Sequence, residues 1–333
     1  MKLTFEPNLD YQLRAIQSIV NIFEGQPADD SLTQFILNDN SNAIFSEING
    51  VANKLILSEE QLFKNLQKVQ EENELPISDT LKGFNFTVEM ETGTGKTYVY
   101  LRTIYELNKK YGFKKFVIVV PSIAIREGVL KNLEITFDHF QNLYDKVPVN
   151  YYVYDSSKVS LLRSFATNSN IEILIINIDS FAKDENIINR PNDKLSGHEP
   201  IKFIQVTNPI VIIDEPQNME TEKRKRAIES LNPLCKLRYS ATHRDLYNLV
   251  YSLNPVNAYD LGLVKQIEVD SVLEEDSANY AFIEVKKITS QKNKVIAQLA
   301  IDVDAKDGIT RKTVSVKTGD DLYILSNRRE IYN

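Results

Sequence analysis

The chain has 333 residues, 42% of them hydrophobic and 26% charged, with a formal net charge of −7, which is enough apolar content to bury a sizeable core and to exclude a disordered chain. The single Cys235 rules out an intrachain disulfide, and His139, His198 and His243 have no zinc-ligand spacing. No window approaches the roughly 18 apolar residues of a membrane span, so a soluble protein of a reducing cytoplasm is expected, and attraction to polyanions must come from local patches.

In chain order, "FEPNLDYQLRAI" opens a helical run, and residues 25–82 read as an elaboration ahead of the first core strand. That elaboration holds one amphipathic helix from about Ser58 to Asn73, with a Ser58/Gln61 capping box. "FNFTVEM" (84–90) is the first strand, and a helix follows from Thr97 to about Lys110. "KKFVIVV" (114–120) is a second strand, and Ser122 starts another helix. "IEILIINI" (171–178), "PIVIID" (209–214) and "KLRYSAT" (236–242) complete a set of short β-branched runs. Continuous hydrophobicity in such runs means strands covered on both faces, as in a doubly wound α/β fold with a parallel sheet. Beyond about Leu263 the pattern changes: "QIEVDSV", "YAFIEVKKI", "KVIAQLAIDV" and "RKTVSVK" read as strands of a small antiparallel β module. Val295, Ala297, Leu299, Ile301 and Val303 alternate there with mostly polar neighbours, and Asp307-Gly308 supplies a turn. The expected division is therefore 1–262 and 263–333.

Three stretches carry chemistry. "METGTGKT" (90–97) joins a strand to a helix and ends as a phosphate-binding loop does, although Met90 stands where such a loop has its first glycine. Gly93 and Gly95 permit close backbone approach, so the amides from Thr92 through Thr97, Thr94 included, can point at phosphate oxygens. Lys96 would reach the outer phosphates and the Thr97 hydroxyl would ligate Mg2+. Met90 belongs to the loop entry and contributes least to the cradle. The plainer alternative is a strand-to-helix turn with an incidental lysine. "IVIIDEPQN" sets Asp214 and Glu215 at the C-terminal end of an apolar strand, where one acid can hold magnesium and the other can orient or deprotonate water; they could also serve only as a helix cap. "YSATHRD" ends the next strand with Ser240, Ala241 and Thr242, close enough to sense the acids, or else a polar strand terminus.

Taken together, "METGTGKT", "IDEPQN" and "SATHRD" resemble motifs I, II and III of superfamily 2 helicases and translocases. The wider wording resembles the Res subunit of type III restriction–modification enzymes, across nearly the whole chain. In that superfamily the Met90 position is often not glycine, so the resemblance implies ATP as ligand and a RecA-like fold. Gln12 matches the glutamine that reads adenine, or it packs the first helix. "VVPSIAIREG" looks like motif Ia, and "INIDSFAKD" looks like the motif that follows it. These bring in Pro121, Ser122, Arg126, Asp179 and Ser180 as contacts to a DNA phosphate, or as ordinary helix and turn starts. The run Lys223-Arg224-Lys225-Arg226 reads as a solvated helix face, with DNA contact as the alternative. His243 reads as a polar link between the loop and a strand end, and Cys235 as core.

The resemblance implies ATP-dependent DNA translocation coupled to restriction cleavage, with a methyltransferase (Mod) subunit as partner. Lys96 would stabilise phosphate charge, Thr97 and Asp214 would hold magnesium, Glu215 would activate water, and Ser240 and Thr242 would couple nucleotide state to DNA. Superfamily 2 motors close a second RecA-like domain over the nucleotide. No such array and no nuclease pattern follows Thr242, so the chain is expected to be the N-terminal part of a longer motor, one that binds ATP·Mg, hydrolyses it slowly and does not cut DNA. Two other readings stay open: a nucleotide-binding interaction module without turnover, and a superfamily 2 helicase of another repair or defence system.

Overall fold

The computed structural model describes residues 4–28, 50–264, 281–291, 294–306 and 308–332. The expected strand "QIEVDSV" and Asp307 lie outside them. The chain divides into two compact units, Met1–Gln266 and Ile267–Asn333.

The first unit runs α1 (Asp10–Ile22), α2 (Glu59–Glu72), β1 (Asn85–Met90), α3 (Lys96–Tyr111), β2 (Lys115–Val120), α4 (Ile123–Leu143), β3 (Val149–Val153), α5 (Leu161–Thr167), β4 (Ile171–Asn177), α6 (Pro200–Gln205), β5 (Ile210–Asp214), α7 (Glu222–Glu229), β6 (Cys235–Ser240), β7 (Leu249–Leu253) and α8 (Pro255–Asp260). Its seven strands make one sheet in the order β3-β4-β2-β5-β6-β1-β7, parallel at every pairing. Five of them are the runs expected from sequence. β3 and β7 were not expected, and they are the two edges.

The middle stretches of β2, β4 and β5 are apolar because each face has its own core. Phe116, Ile118, Ile173, Ile175, Ile210 and Ile212 pack with α1 to α4. The alternate residues Val117, Val119, Leu174, Ile176, Val211 and Ile213 pack with α5, α6 and α7 on the other side. Burying each such side chain is worth about 1.5–3 kcal/mol, so a polar residue is costly at either parity. The fold is RecA-like α/β with helices on both faces of the sheet.

The N-terminal elaboration is tied to the end of the sheet where strands begin. Asn53, fully buried, donates Nδ2 to Lys115 O at 2.7 Å and accepts the amides of Lys114 and Lys115 at 2.8 and 3.1 Å. α2 carries the expected reciprocal Ser58/Gln61 cap. At the same end Lys115 and Glu172 are register partners, both with 0% exposure. Lys115 Nζ donates to the carbonyls of Phe165 and Asn168, each at 2.5 Å, and Glu172 accepts from Asn150 Nδ2 at 2.7 Å. Burial favours the neutral form of both groups, lowering the pKa of the lysine and raising that of the acid.

The second unit is a three-stranded antiparallel sheet, β8 (Ile283–Gln291), β9 (Lys294–Ala305) and β10 (Gly308–Lys317), followed by α9 (Leu322–Leu325). The expected apolar stripe on β9 is buried only in its second half: Ile301 and Val303 are covered, whereas Val295 is 52% exposed. The tail folds back over that half alone. Tyr332 accepts the Asp302 amide and donates to Phe282 O, and Asp304 N donates to Ser326 O.

Candidate functional site

β1 delivers the chain into the loop at Met90, which is fully buried, so the residue at the missing glycine position serves as core. Gly93 and Gly95 take φ of +84° and +93°, a region L side chains rarely adopt. At Gly95 a side chain would also collide, since its Cβ would lie 2.6 Å from Gln12 Nε2. Gly95 is the N-cap of α3, and no side chain caps that helix, leaving its first amides for an anion. Within the loop, Thr92 N donates to Glu91 Oε1 at 2.8 Å and Thr94 Oγ1 to Glu91 O at 2.7 Å. Lys96, with 10% of its side chain exposed, donates to Met90 O at 3.2 Å, and its Nζ lies 3.6 Å from Glu215 Oε1.

The acid pair comes from β5 and meets the loop across β6, which lies between β5 and β1. Asp214 is 5% exposed and accepts a hydrogen bond from Tyr100 Oη at 3.2 Å. Burial first, and the neighbouring Glu215 charge second, push its carboxyl up to about 6, against the pull of Tyr100 and Lys96. Glu215 has left-handed backbone, φ +55°, and its amide donates to Tyr239 O at 3.0 Å. That turn aims its carboxylate back along the sheet edge. Gln217 Nε2 donates to Glu215 Oε2 at 2.7 Å, and Ser240 Oγ lies 2.9 Å from that same oxygen and 2.8 Å from Gln217 Oε1. Ser240 Oγ also accepts the Thr242 amide at 3.0 Å. His243 Nε2 is 3.2 Å from Val88 O, so that nitrogen is the donor, and burial lowers the ring's pKa.

Gln12 sits behind the loop, 7% exposed, and donates Nε2 to Thr94 O at 3.0 Å, next to the Tyr11 hydroxyl on the same carbonyl at 3.2 Å. A cavity of about 500 Å³ opens beside it, lined by Phe5, Leu9, Gln12, Gly95, Thr97 and Tyr98 among others. Phe5 and Tyr98 are near parallel there, 6.0 Å between centroids at 17°.

The remaining candidates gather elsewhere. Pro121, Ser122, Arg126, Asp179 and Ser180 all line one separate cleft of about 1140 Å³, at the C-terminal ends of β2, β3 and β4. Ser122 caps α4 by accepting the Ile125 amide at 3.3 Å. Arg126 pairs with Glu127 at 2.8 Å, and Asp179 with Arg224 at 2.9 Å. Two members of the basic run on α7 are engaged within the protein: Arg224 holds Asp179 and the Asn218 carbonyl, and Lys225 pairs with Glu220 and Asp245, while Lys223 and Arg226 are exposed. Cys235 is a buried free thiol of the core. Sequence reading singled out neither Tyr100 nor Gln217. Gln217 lies inside the quoted "IDEPQN", but Tyr100 has no local signal because its partner is 114 positions away.

The residues fit a nucleotide with a divalent cation. The glycine cradle would be blocked by any Cβ at Gly95, the helix start is uncapped, and a buried carboxylate stands beside it. Among the described residues no group of three or more His, Cys, Asp or Glu could hold a metal unaided. A magnesium ion would share Thr97 and Asp214 with phosphate oxygens and water, which is its usual preference. No helix among the described residues is long and apolar enough to cross a membrane.

The family model described as "Type III restriction enzyme, res subunit" matches residues 7–245. The Res subunit of the type III restriction-modification enzyme EcoPI, from Escherichia phage P1, is 32% identical over 294 residues, covering 79% of this chain and 28% of that protein. The EcoP15I Res subunit of Escherichia coli is 32% identical over 290 residues with the same coverages. The chain therefore spans about 28% of the length of these relatives. A solved structure with likeness is a nuclease-deletion mutant of the Type ISP restriction-modification enzyme LlaGI in complex with a DNA substrate mimic, with a TM-score of 0.38, 12% identity, and coverage of 63% of this chain and 21% of that one. With the matched segment running through the loop, the acid pair and the serine strand, the chain belongs to the type III restriction enzyme Res subunit family.

Proposed function

We propose that this chain is the ATP-hydrolysing motor segment of a type III restriction system. In this reading hydrolysis drives movement along DNA that supports cleavage, in the cytoplasm, alongside a methyltransferase (Mod) subunit that recognises the site. The observation that carries it is the 3.6 Å approach of Lys96 Nζ to Glu215 Oε1 at the mouth of the glycine loop. Phosphate loops and acid pairs each occur alone for structural reasons; their meeting across an intervening strand is what catalysis requires.

Amides from Thr92 to Thr97 bind the phosphate chain of ATP, those of Thr92 and Thr94 giving up Glu91 and Lys96 exchanging its carbonyl contact for the outer phosphates. Thr97 and Asp214 hold Mg2+, which when bound offsets charge on the transferred phosphoryl group. Glu215, clasped by Gln217 and Ser240, orients the attacking water and takes its proton. Gln12 and the aromatic walls hold the base. Ser240 and Thr242 pass the state of the site to the second cleft, where the helix start at Ser122, with Pro121, Arg126, Asp179 and Ser180, meets a DNA phosphate. Cleavage belongs to the rest of an enzyme of which this chain is 28% of the relatives' length.

The test is nucleotide binding and hydrolysis by the 333-residue chain, with and without duplex DNA. Lys96→Ala is expected to abolish both, and Glu215→Gln to keep nucleotide affinity while losing about 10²-fold or more in turnover. A Glu215→Gln variant that hydrolyses ATP at the wild-type rate refutes the assignment.

A further inference from the structure

Tyr100 lies one helical turn beyond the phosphate loop on α3, wholly buried, and its phenol donates to Asp214 Oδ2 at 3.2 Å. Thr97 stands three residues earlier on the same helix. The helix that carries Thr97 therefore also reaches the β5 carboxylate assigned above to magnesium. Asp214 has one further carboxylate oxygen, and Tyr100 is the only side-chain hydrogen-bond donor to Asp214 among the described residues. A carboxylate held at one oxygen presents the other in a fixed direction, and removal of such an outer partner typically weakens metal binding about 10- to 100-fold. The ring itself is closely packed: it lies against Tyr239 at 5.5 Å between centroids, and Tyr239 in turn reaches Thr103 Oγ1 at 3.4 Å.

We propose that Tyr100 is a positioning residue for the divalent cation: its hydroxyl clamps the inner oxygen of Asp214 so that the outer one faces the ion carried by the nucleotide. The inference rests on the nucleotide-site reading above and adds to it a residue that touches neither nucleotide nor metal. A phenol of ordinary acidity stays protonated at neutral pH and can only donate to a carboxylate, so the clamp keeps its polarity.

The experiment titrates Mg2+ against the 333-residue chain and the fluorescent, non-hydrolysable analogue mant-AMPPNP, following binding and not turnover. Tyr100→Phe keeps the ring and deletes the donor; Tyr239→Phe deletes a buried hydroxyl from the adjoining ring without touching Asp214. The expected result is an Mg2+ half-saturation raised about tenfold in Tyr100→Phe, with analogue affinity in EDTA unchanged and Tyr239→Phe behaving as wild type. Tyr100→Leu, a second donor-less variant, carries the same expectation if the phenylalanine variant does not fold. An unchanged Mg2+ requirement in the Tyr100 variants, or an equal shift in Tyr239→Phe, overturns the proposal while leaving the nucleotide site standing. Wild-type protein that binds the analogue no better with Mg2+ than in EDTA overturns both.

Discussion

Replacing Asp214 by Asn should make the nucleotide-free protein more stable while removing its use for magnesium. The carboxyl is buried, and its pKa in the fold lies at about 6 against an ordinary 3.8. An acid whose pKa is raised by folding binds its proton more tightly in the native state, so the fold loses stability as pH rises from 3.8 towards 6 and carries the whole penalty above that. At about 1.36 kcal/mol per pKa unit the penalty near pH 7.5 is about 3 kcal/mol, which for a unit of this size corresponds to about 5–10 °C in Tm. Asparagine has nearly the same shape, carries no charge and keeps an oxygen for the Tyr100 hydroxyl. Thermal denaturation of both proteins in EDTA, from pH 4 to pH 8, measures the difference directly. The variant's advantage should be largest above pH 6 and vanish towards pH 4. A variant no more stable than wild type at pH 7.5, or an advantage that grows on acidification, would show that burial of the charge is not what strains this site.

Gly95→Ala should weaken nucleotide binding about tenfold or more, because the left-handed backbone costs about 1–2 kcal/mol and the new methyl displaces the Gln12 amide; equilibrium titration with a fluorescent ATP analogue checks this, and wild-type affinity refutes it. Lys115→Met should cost about 3 kcal/mol or more in urea denaturation, since the Phe165 and Asn168 carbonyls lose their buried donor. Adding Glu172→Leu should recover part of that loss, and a single variant as stable as wild type would show that the lysine is held at no benefit.

What was legible in the sequence was local, and what was missed was not. The loop, the acid pair and the serine strand each announce themselves within a few residues, because glycine at positive φ and carboxylates at a strand end are short-range requirements. β2, β4 and β5 were readable because burial on both faces writes an unbroken apolar run. β3 and β7 are the sheet's edges, where "VNYYV" and "LVYSL" mix polar with apolar residues and imitate loop. The partial burial of β9 depends on where the tail returns, which no alternation of residues encodes. Tyr100 and Gln217 were invisible for a related reason: the first looks like another buried aromatic of α3, and the second needs the spatial order of β5 and β6 before its two partners can be recognised. The five residues weighed as DNA contacts come from segments about 60 positions apart, and only the parallel pairing of β2 with β4 sets them around one cleft.

The strand ending in Ser240 is interposed between the strand that feeds the glycine loop and the strand that ends in the acids. Loop and acids therefore have no direct backbone bond to each other, and the width of the gap between them is set by that middle strand. It works as a spacer gauge, and its last hydroxyl, on Ser240, rests on the Glu215 carboxylate that faces Lys96.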